Sequence, residues 1–117
     1  MKPIRLDKPS KYRNRKTTID GITFDSRKEA EWYLALKGDK KAGKIKDFEL
    51  QPEFILQEGF TKNGKRHRPI KYIADFRVKN NDGTEEIIDV KGVITKEFSI
   101  KRKIFEAKYP DLSLKII

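Results

Sequence analysis

The chain has 117 residues, a length that suits one compact domain rather than two. It contains no cysteine, which excludes disulfides and thiolate metal sites and favours a reducing cytoplasm. With 28 Lys and Arg against 18 Asp and Glu, the formal charge of +10 is typical of a protein that contacts a polyanion such as nucleic acid. No apolar run is long enough for a signal peptide or a membrane span, so we expect a soluble, cytoplasmic protein without a membrane partner.

The first 16 residues are basic, contain two prolines and lack a hydrophobic period. This composition predicts a flexible arm over residues 1–16, followed by a single domain over residues 17–117. The candidate nucleic-acid contacts in the arm are Lys11, Arg13, Arg15 and Lys16. The alternative is a solvated tail that only aids solubility.

A hairpin and a helix are predicted next. Asp20-Gly21 lies between short alternating segments, a pattern typical of a two-residue β-turn. A helix is predicted from about residue 27 to 42, because Ser26 and Glu29 have the spacing of a capping box and Gly43 follows where helices commonly end. Its expected apolar stripe consists of Ala30, Tyr33, Leu34 and Leu36. Helical projection places Glu29 on the buried side of this helix.

Strand-like segments and one polar loop occupy the middle of the chain. The predicted strands are residues 45–50, 53–56, "IKYIADFRV" (70–78) and "TEEIIDV" (84–90). The loop "QEGFTKNGKRHRP" (57–69) carries candidate phosphate-backbone contacts at Lys62, Lys65, Arg66 and Arg68. The alternative is an ordinary solvated loop. His67 is a weaker candidate for a proton donor or metal ligand, since a single histidine among basic residues is more often surface.

A second helix is predicted from about residue 96 to 108, closed by Pro110, and "LSLKII" (112–117) predicts a final strand. The expected core-facing arc of the helix consists of Phe98, Ile100, Ile104 and Phe105. Lys101 falls inside this arc, so it either extends to the edge or points toward the Lys91 end of the sheet as a phosphate contact. The whole order predicts an α/β fold: N-terminal hairpin, helix, three-stranded antiparallel meander, helix and C-terminal strand.

The strands over residues 70–78 and 84–90 carry unexpected charges. Strict alternation places Tyr72, Ala74, Phe76 and Val78 on one face and Asp75 on the other, while Ile87, Asp89 and Lys91 share one face. A three-residue turn, Asn81–Gly83, sets Asp75 directly opposite Asp89. A two-residue turn, Asp82-Gly83, would shift this register by one position.

Two directly opposed aspartates destabilise a strand pair unless a cation binds between them. Mg²⁺ prefers one or two carboxylates together with water and phosphate oxygens. Lys91 is close enough to polarise a water or balance phosphate charge, and Glu29 is a candidate third carboxylate. The pattern predicts metal-assisted phosphodiester hydrolysis. The alternatives are a structural Asp89–Lys91 ion pair and a Glu29 that only closes its capping box.

The order of Glu29, Asp75 and the triplet Asp89-Val90-Lys91 resembles the PD-(D/E)xK nuclease superfamily, whose core is a helix, three strands, a helix and a strand. Ala74 stands where the superfamily name has proline. More closely, "FDSRKEAEWYLAL", "LQPEFIL", "YIADFRV", "IIDVKG" and "IKRKIFEAKYP" resemble a family of small phage and prophage proteins long regarded as a domain of unknown function. This likeness covers about residues 17–117.

The resemblance implies a restriction-endonuclease-like core in which Asp75, Asp89 and the Val90 carbonyl bind Mg²⁺ or Mn²⁺. It implies that Lys91 acts on the attacking water and that Glu29 binds or orients near the metal. We therefore expect a phage-type DNA endonuclease in a bacterial host cell, acting on Holliday junctions or other branched DNA of replication and recombination. Paired cuts need two active sites, which favours a homodimer. The alternatives are a non-catalytic nucleic-acid-binding accessory of replication or packaging, and an RNA-directed nuclease.

Overall fold

The structure, a computed structural model, describes residues 16–117. The chain divides into two compact units, with the boundary between Gly43 and Lys44. The candidate contacts Lys11, Arg13 and Arg15, and nearly all of the predicted arm, lie outside the described residues. Lys16 is exposed, and its Nζ lies 3.5 Å from the Asp25 carboxylate. Among residues 16–117, no helix is long and apolar enough to cross a membrane.

The first unit begins with the predicted hairpin, formed by β1 (Thr17–Ile19) and β2 (Ile22–Phe24). Asp20 and Gly21 have φ angles of 54° and 77°, so both turn residues occupy the left-handed region. Two-residue hairpins favour this geometry because it matches the twist of the strands. The Asp20 carboxylate also accepts hydrogen bonds from Tyr33 Oη and Lys37 Nζ, which tie the turn to the following helix. The predicted hairpin is therefore confirmed.

Helix α1 spans Arg27–Lys41, close to its predicted limits. Ser26 caps it, because Ser26 Oγ accepts a hydrogen bond from the Glu29 backbone N–H at 3.1 Å. The buried side chains are Glu29, Ala30, Tyr33 and Leu36. The predicted place of Leu34 in this stripe is wrong, since Leu34 is 48% exposed. In a helical projection with about 100° per residue, Leu34 falls just outside the arc of the buried side chains.

The second unit contains eight strands and one helix. These are β3 (Asp47–Leu50), β4 (Glu53–Gln57), β5 (Phe60–Lys62), β6 (Lys65–His67), β7 (Ile70–Ile73), β8 (Phe76–Lys79), β9 (Glu85–Asp89), α2 (Lys96–Lys108) and β10 (Ser113–Ile116). The main sheet has the order β10-β9-β8-β3, in which β3, β8 and β9 are antiparallel and β10 is parallel to β9. A mixed α/β architecture is confirmed. The three antiparallel strands do not form a simple meander, because β4 to β7 are inserted between β3 and β8.

The predicted strand over residues 70–78 is two strands in different sheets. β7 pairs with β4, whereas β8 pairs with β3 and β9, and the chain changes sheet at Ala74 and Asp75. Because of this break, the side chains before and after it do not keep a single alternation between the two faces. Tyr72 and Ala74 pack with Ile87 and helix α2 in one core cluster that does not contain Phe76. The expectation that Tyr72, Ala74, Phe76 and Val78 share one face is therefore wrong.

The predicted polar loop over residues 57–69 is largely a second hairpin. β5 and β6 pair antiparallel across Asn63 and Gly64, whose φ angles are 52° and 75°. Asn-Gly is a strong signal for such a turn.

Helix α2 covers the core cluster of the second unit and has the predicted limits. Thr95 Oγ1 caps it by accepting the Phe98 backbone N–H at 3.1 Å. Phe105 is fully buried and packs edge-on against Phe54 with ring centroids 4.9 Å apart. Ile104 packs at the margin of the cluster, but Ile100 is 61% exposed, so its predicted place in the core-facing arc is wrong. The helix thus buries only a narrow stripe.

Candidate active site

The turn between β8 and β9 sets the pairing of the two strands that lead to the candidate aspartates. Asn80 N–H donates to Thr84 O at 2.8 Å, and Gly83 has a φ of 91°, as expected for the three-residue turn. The strand pairs run from Lys79 with Glu85 to Phe76 with Ile88, so the predicted three-residue turn is confirmed. The pairing does not continue in the same register, because the Asp75 N–H donates to Ile88 O, the residue that already pairs with Phe76. Direct opposition of Asp75 and Asp89 is therefore not among the strand pairs, although the Asp75 carboxylate reaches the backbone next to Asp89.

Asp75 and Asp89 are held by different partners. Asp75 is half-buried, and its Oδ2 accepts the Val90 backbone N–H at 2.7 Å. Asp89, at the end of β9, is only 2% exposed. Its Oδ2 accepts the Tyr72 hydroxyl at 2.5 Å and lies 3.5 Å from Lys91 Nζ. Buried carboxylates need such partners because desolvation disfavours the charged form.

Lys91 is fixed from two sides. Besides its ion pair with Asp89, its Nζ lies over the Phe98 ring, 4.4 Å from the centroid. A cation above an aromatic face is stabilised by the ring quadrupole. Strand β9, which positions Asp89, and helix α2, which positions Phe98, therefore hold the ammonium group together. The structure brings Asp75, Asp89 and Lys91 to one end of the sheet.

The backbone around Val90 faces the same cluster. Ile117 N–H donates to Asp89 O at 2.9 Å, and Lys91 N–H donates to Ile117 O at 3.1 Å. Val90 lies between Asp89 and Lys91, and in an extended chain its own N–H and C=O are directed to the side opposite Ile117. The Val90 N–H binds Asp75, so the Val90 carbonyl also lies on the Asp75 side. This position agrees with the carbonyl ligand that the resemblance implies.

The donor set fits a small hard cation. Within residues 16–117, no group of three or more His, Asp or Glu side chains is arranged to hold a metal ion. Mg²⁺ does not require such a group, because it usually keeps several waters and takes one or two carboxylates plus phosphate oxygens. Asp75, Asp89 and the Val90 carbonyl provide a set of this kind.

A pocket of about 280 Å³ adjoins Lys91. It is lined by Lys71, Tyr72, Ile73, Lys91, Thr95, Glu97, Phe98 and Lys101. Lys101 therefore reaches the Lys91 end of the sheet, where its Nζ lies 3.1 Å from the Glu97 carboxylate. Lys71 and Thr95 were not foreseen at this site. The role of Lys101 as a phosphate contact stays a prediction.

Tyr72 is the missed residue that contacts a candidate metal ligand directly. The assumption of one continuous strand put it on the face away from Asp89. Burial, the hydrogen bond to Asp89 and the charges of Asp89 and Asp75 together raise the pKa of Tyr72 far above its usual value. The hydroxyl therefore stays protonated and remains a donor to Asp89 across the physiological range.

The remaining predicted site residues belong to α1 and to the β5–β6 hairpin. Glu29 is 7% exposed on α1 in the first unit, and its part in the site stays a prediction. The predicted basic contacts on the β5–β6 hairpin are all exposed: Lys62, Lys65, Arg66 and Arg68. His67 stacks on Phe60 with ring centroids 4.6 Å apart and does not line the pocket.

Replacement of Tyr72 by Phe tests the support of Asp89. Loss of a hydrogen bond to a buried charged group should lower the free energy of unfolding by about 1.5 to 3 kcal/mol, measured by urea denaturation. Tyr33→Phe is the matched control, because its hydroxyl donates to the more exposed Asp20 carboxylate, which retains Lys37. A smaller loss is expected there. Equal losses in the two variants would contradict a special role for Tyr72.

Tyr72→Phe should also change how the free energy of unfolding depends on pH. The raised pKa of Tyr72 means that, above about pH 10, the unfolded chain loses a proton that the folded protein keeps. The stabilisation is therefore complete below about pH 10 and declines above it. Tyr72→Phe should reduce the loss of stability between neutral and alkaline pH.

The chain was compared with known families, curated proteins and solved structures. No curated protein and no solved structure matches it. One family model, described as a protein of unknown function (DUF1064), matches residues 9–117. Because this match covers most of the chain, the protein belongs to the DUF1064 family.

Proposed function

We propose that the protein is a metal-dependent endonuclease of the PD-(D/E)xK type that hydrolyses phosphodiester bonds in DNA. The observation that carries this proposal is the meeting of three charged side chains at one end of the sheet: the Asp75 carboxylate accepts the Val90 N–H, and Lys91 pairs with Asp89. The order α1, β3, β8, β9, α2, β10 also resembles the helix, three strands, helix and strand of that superfamily. A restriction-endonuclease-like core is part of the proposal.

Asp75, Asp89 and the Val90 carbonyl would hold Mg²⁺ or Mn²⁺. Tyr72 and Lys91 both contact Oδ2 of Asp89, so Oδ1 is the oxygen we assign to the metal. The bound ion would supply Lewis-acid stabilisation of the phosphate charge and a water of lowered pKa. Glu29 would bind or orient groups near the ion.

Lys91 would orient the attacking water and balance negative charge on the phosphate. As a P–O bond forms to the water oxygen, the opposite P–O ester bond breaks, leaving a phosphate on one strand end and a hydroxyl on the other. Lys101 would contact a neighbouring phosphate from the pocket that it shares with Lys91. Preorganised charges of this kind are worth most in a partly dehydrated site.

The substrate we propose is branched DNA, such as a Holliday junction formed in replication or recombination. The chain has a charge of +10, which supplies affinity for any nucleic-acid backbone without encoding a base sequence. Paired incisions at a junction require two active sites, so a homodimer is part of the proposal. The setting is the cytoplasm of a bacterial host cell, with a phage or prophage source.

The proposal is tested by incubating the protein with a labelled panel: four-way junction, flap, linear duplex, single strand and RNA. Each substrate is combined with Mg²⁺, Mn²⁺ or EDTA. We expect strand cleavage of DNA only with a divalent metal, fastest on the junction. Absence of cleavage on every substrate, with both metals, would contradict the proposed activity.

One observation favours a second function, a non-catalytic nucleic-acid-binding accessory protein. The buried charge of Asp89 is already balanced by Lys91 and hydrogen-bonded by Tyr72, an arrangement that a purely structural ion pair would also have. In that case Asp75→Asn and Asp89→Asn would leave DNA affinity and its metal dependence unchanged. An RNA-directed nuclease would instead cleave the RNA member of the panel.

A further inference from the structure

The β5–β6 hairpin, residues 60–67, concentrates positive charge without compensation. Lys62, Lys65, Arg66 and the adjoining Arg68 are exposed, and residues 60–68 contain no Asp or Glu. Among the ion pairs of the described residues, none involves these four side chains. By contrast, each lysine of the pocket lies within 4 Å of a carboxylate. The pairs are Lys71 with Glu53, Lys91 with Asp89 and Lys101 with Glu97.

The tip of the hairpin places like charges side by side. Lys62 pairs directly with Lys65 across the Asn63-Gly64 turn. Directly opposed like charges on paired strands are destabilising, and an anion between them reverses the sign. Alternation also brings Phe60 and His67 to the same face as the two lysines. This face therefore combines two cations at the tip with a stacked aromatic pair at the base.

Arg66 projects from the opposite face of the hairpin. A Cβ atom on Gly59 would approach the Arg66 guanidinium to 2.5 Å, so the absence of a side chain at Gly59 lets the guanidinium lie against the backbone. Both faces of the hairpin thus present a cation. An extended ribbon that is cationic on both faces suits a partner with negative charge on two sides.

The dimensions of the hairpin decide between the grooves of duplex DNA. Each strand has three residues, or about 10 Å at 3.3 Å per residue, and paired strands lie about 4.8 Å apart. The major groove of B-DNA is about 12 Å wide and 8.5 Å deep and admits a two-stranded ribbon, whereas the minor groove is about 6 Å wide. Phosphates line both walls of the groove.

We propose that the β5–β6 hairpin enters the major groove of B-form duplex DNA, with its three cations and the adjoining Arg68 on the phosphates of the two walls. The groove contact rests on the proposed function only in taking nucleic acid as the partner, whereas its distance from the cut rests also on the proposed cleavage at Asp75. The major groove of A-form RNA is deep and too narrow for such an element. The hairpin therefore selects duplex DNA over duplex RNA.

The hairpin also sets where duplex must lie relative to the cut. Lys65 and Asp75 are ten residues apart, which limits their separation to about 33 Å. This is about one turn of B-DNA. A branched substrate would therefore need a duplex arm within about one turn of the cleaved phosphate.

The test measures equilibrium binding in EDTA, where hydrolysis is absent, to a 30-base-pair DNA duplex and to an RNA duplex of the same sequence. The variant is Lys62→Gln/Lys65→Gln. The matched control is Lys46→Gln/Lys79→Gln. It removes two exposed lysines at the end of β8 that is far from Asp75. Thermal melting checks that both variants are folded.

We expect the wild type to bind the DNA duplex more tightly than the RNA duplex. The hairpin variant should reduce the slope of log affinity against log salt by about 2, because each phosphate contact contributes about 0.9. The control should keep the wild-type slope. Equal slopes for the two variants, or equal affinity of the wild type for DNA and RNA duplexes, would overturn the inference. Cleavage of the substrate panel is a separate readout, so failure of the groove contact and failure of the nuclease are distinguishable.

Discussion

Replacement of Lys91 by Ala should reduce the rate of DNA cleavage by about 10³-fold, while DNA affinity stays within about twofold of wild type. Loss of one preorganised charge at the reacting group typically costs about 10² to 10³ in rate. Lys91 is fixed by Asp89 and Phe98, so no other lysine can take its place without rearrangement. Single-turnover cleavage with excess protein measures the chemical step, and binding in EDTA measures affinity.

Lys115→Ala is the matched control for this change. Lys115 also pairs with a carboxylate of β9, since its Nζ lies 3.8 Å from Glu86, but at the other end of the strand. We expect near wild-type cleavage for this variant. Similar losses in the two variants would mean that Lys91 contributes only to folding or general charge.

Divalent metal should stabilise the wild-type protein through Asp75 and Asp89. At a metal concentration ten times Kd, binding adds about 1.4 kcal/mol to the free energy of unfolding. For a chain of this size we expect a rise in Tm of about 5 °C. The double variant Asp75→Asn/Asp89→Asn should show no rise. An asparagine side-chain oxygen can still accept the Val90 N–H, so the fold should persist.

Two further results sharpen this prediction. Without metal, the double variant should be less stable than the wild type, because Asp89→Asn removes the charged partner of Tyr72 and Lys91, which outweighs relief of the repulsion between the two nearby carboxylates. A control variant, Asp39→Asn/Asp111→Asn, should keep the full rise in Tm with Mn²⁺. A rise in Tm that persists in the Asp75 and Asp89 double variant would place the metal elsewhere. Differential scanning calorimetry measures all of these values.

The parts of the fold that depend on local chemistry could be predicted from the sequence. Asp20-Gly21 forms the expected turn, and Ser26 caps the expected helix. The Asn81–Gly83 turn sets the pairing of β8 with β9 from Lys79–Glu85 to Phe76–Ile88. Each of these features depends on a few neighbouring residues, so the pattern determines the geometry without knowledge of distant contacts.

The parts that depend on distant contacts could not be predicted. Nothing in "IKYIADFRV" indicates that the chain leaves β4 for β3 and β9 at Ala74 and Asp75. That change of partner reverses the expected facing of Tyr72 and brings its hydroxyl to Asp89. The β5–β6 hairpin was missed for another reason. Its Asn63-Gly64 signal was present, but polar residues flank it instead of alternating hydrophobic ones.

The apolar stripes of the helices were predicted only in part for the same physical reason. Ile100 and Leu34 are large hydrophobic residues near the buried arc of their helices, yet both are exposed. Which edge of a helical stripe is covered depends on the neighbouring elements, not on the helix alone. For Lys101 the sequence left two alternatives open, extension to the edge or toward Lys91, and the structure shows it lining the pocket next to Lys91.

The most direct test of the central claim is single-turnover cleavage of a labelled four-way junction by wild type and Asp89→Asn, purified in parallel, with Mn²⁺ or with EDTA. We expect cleavage by the wild type with Mn²⁺ and not with EDTA, no cleavage by Asp89→Asn, and equal junction binding by both proteins in EDTA. Equal cleavage by both proteins, or none by the wild type while it binds the junction, would contradict a metal-dependent nuclease built on Asp75, Asp89 and Lys91.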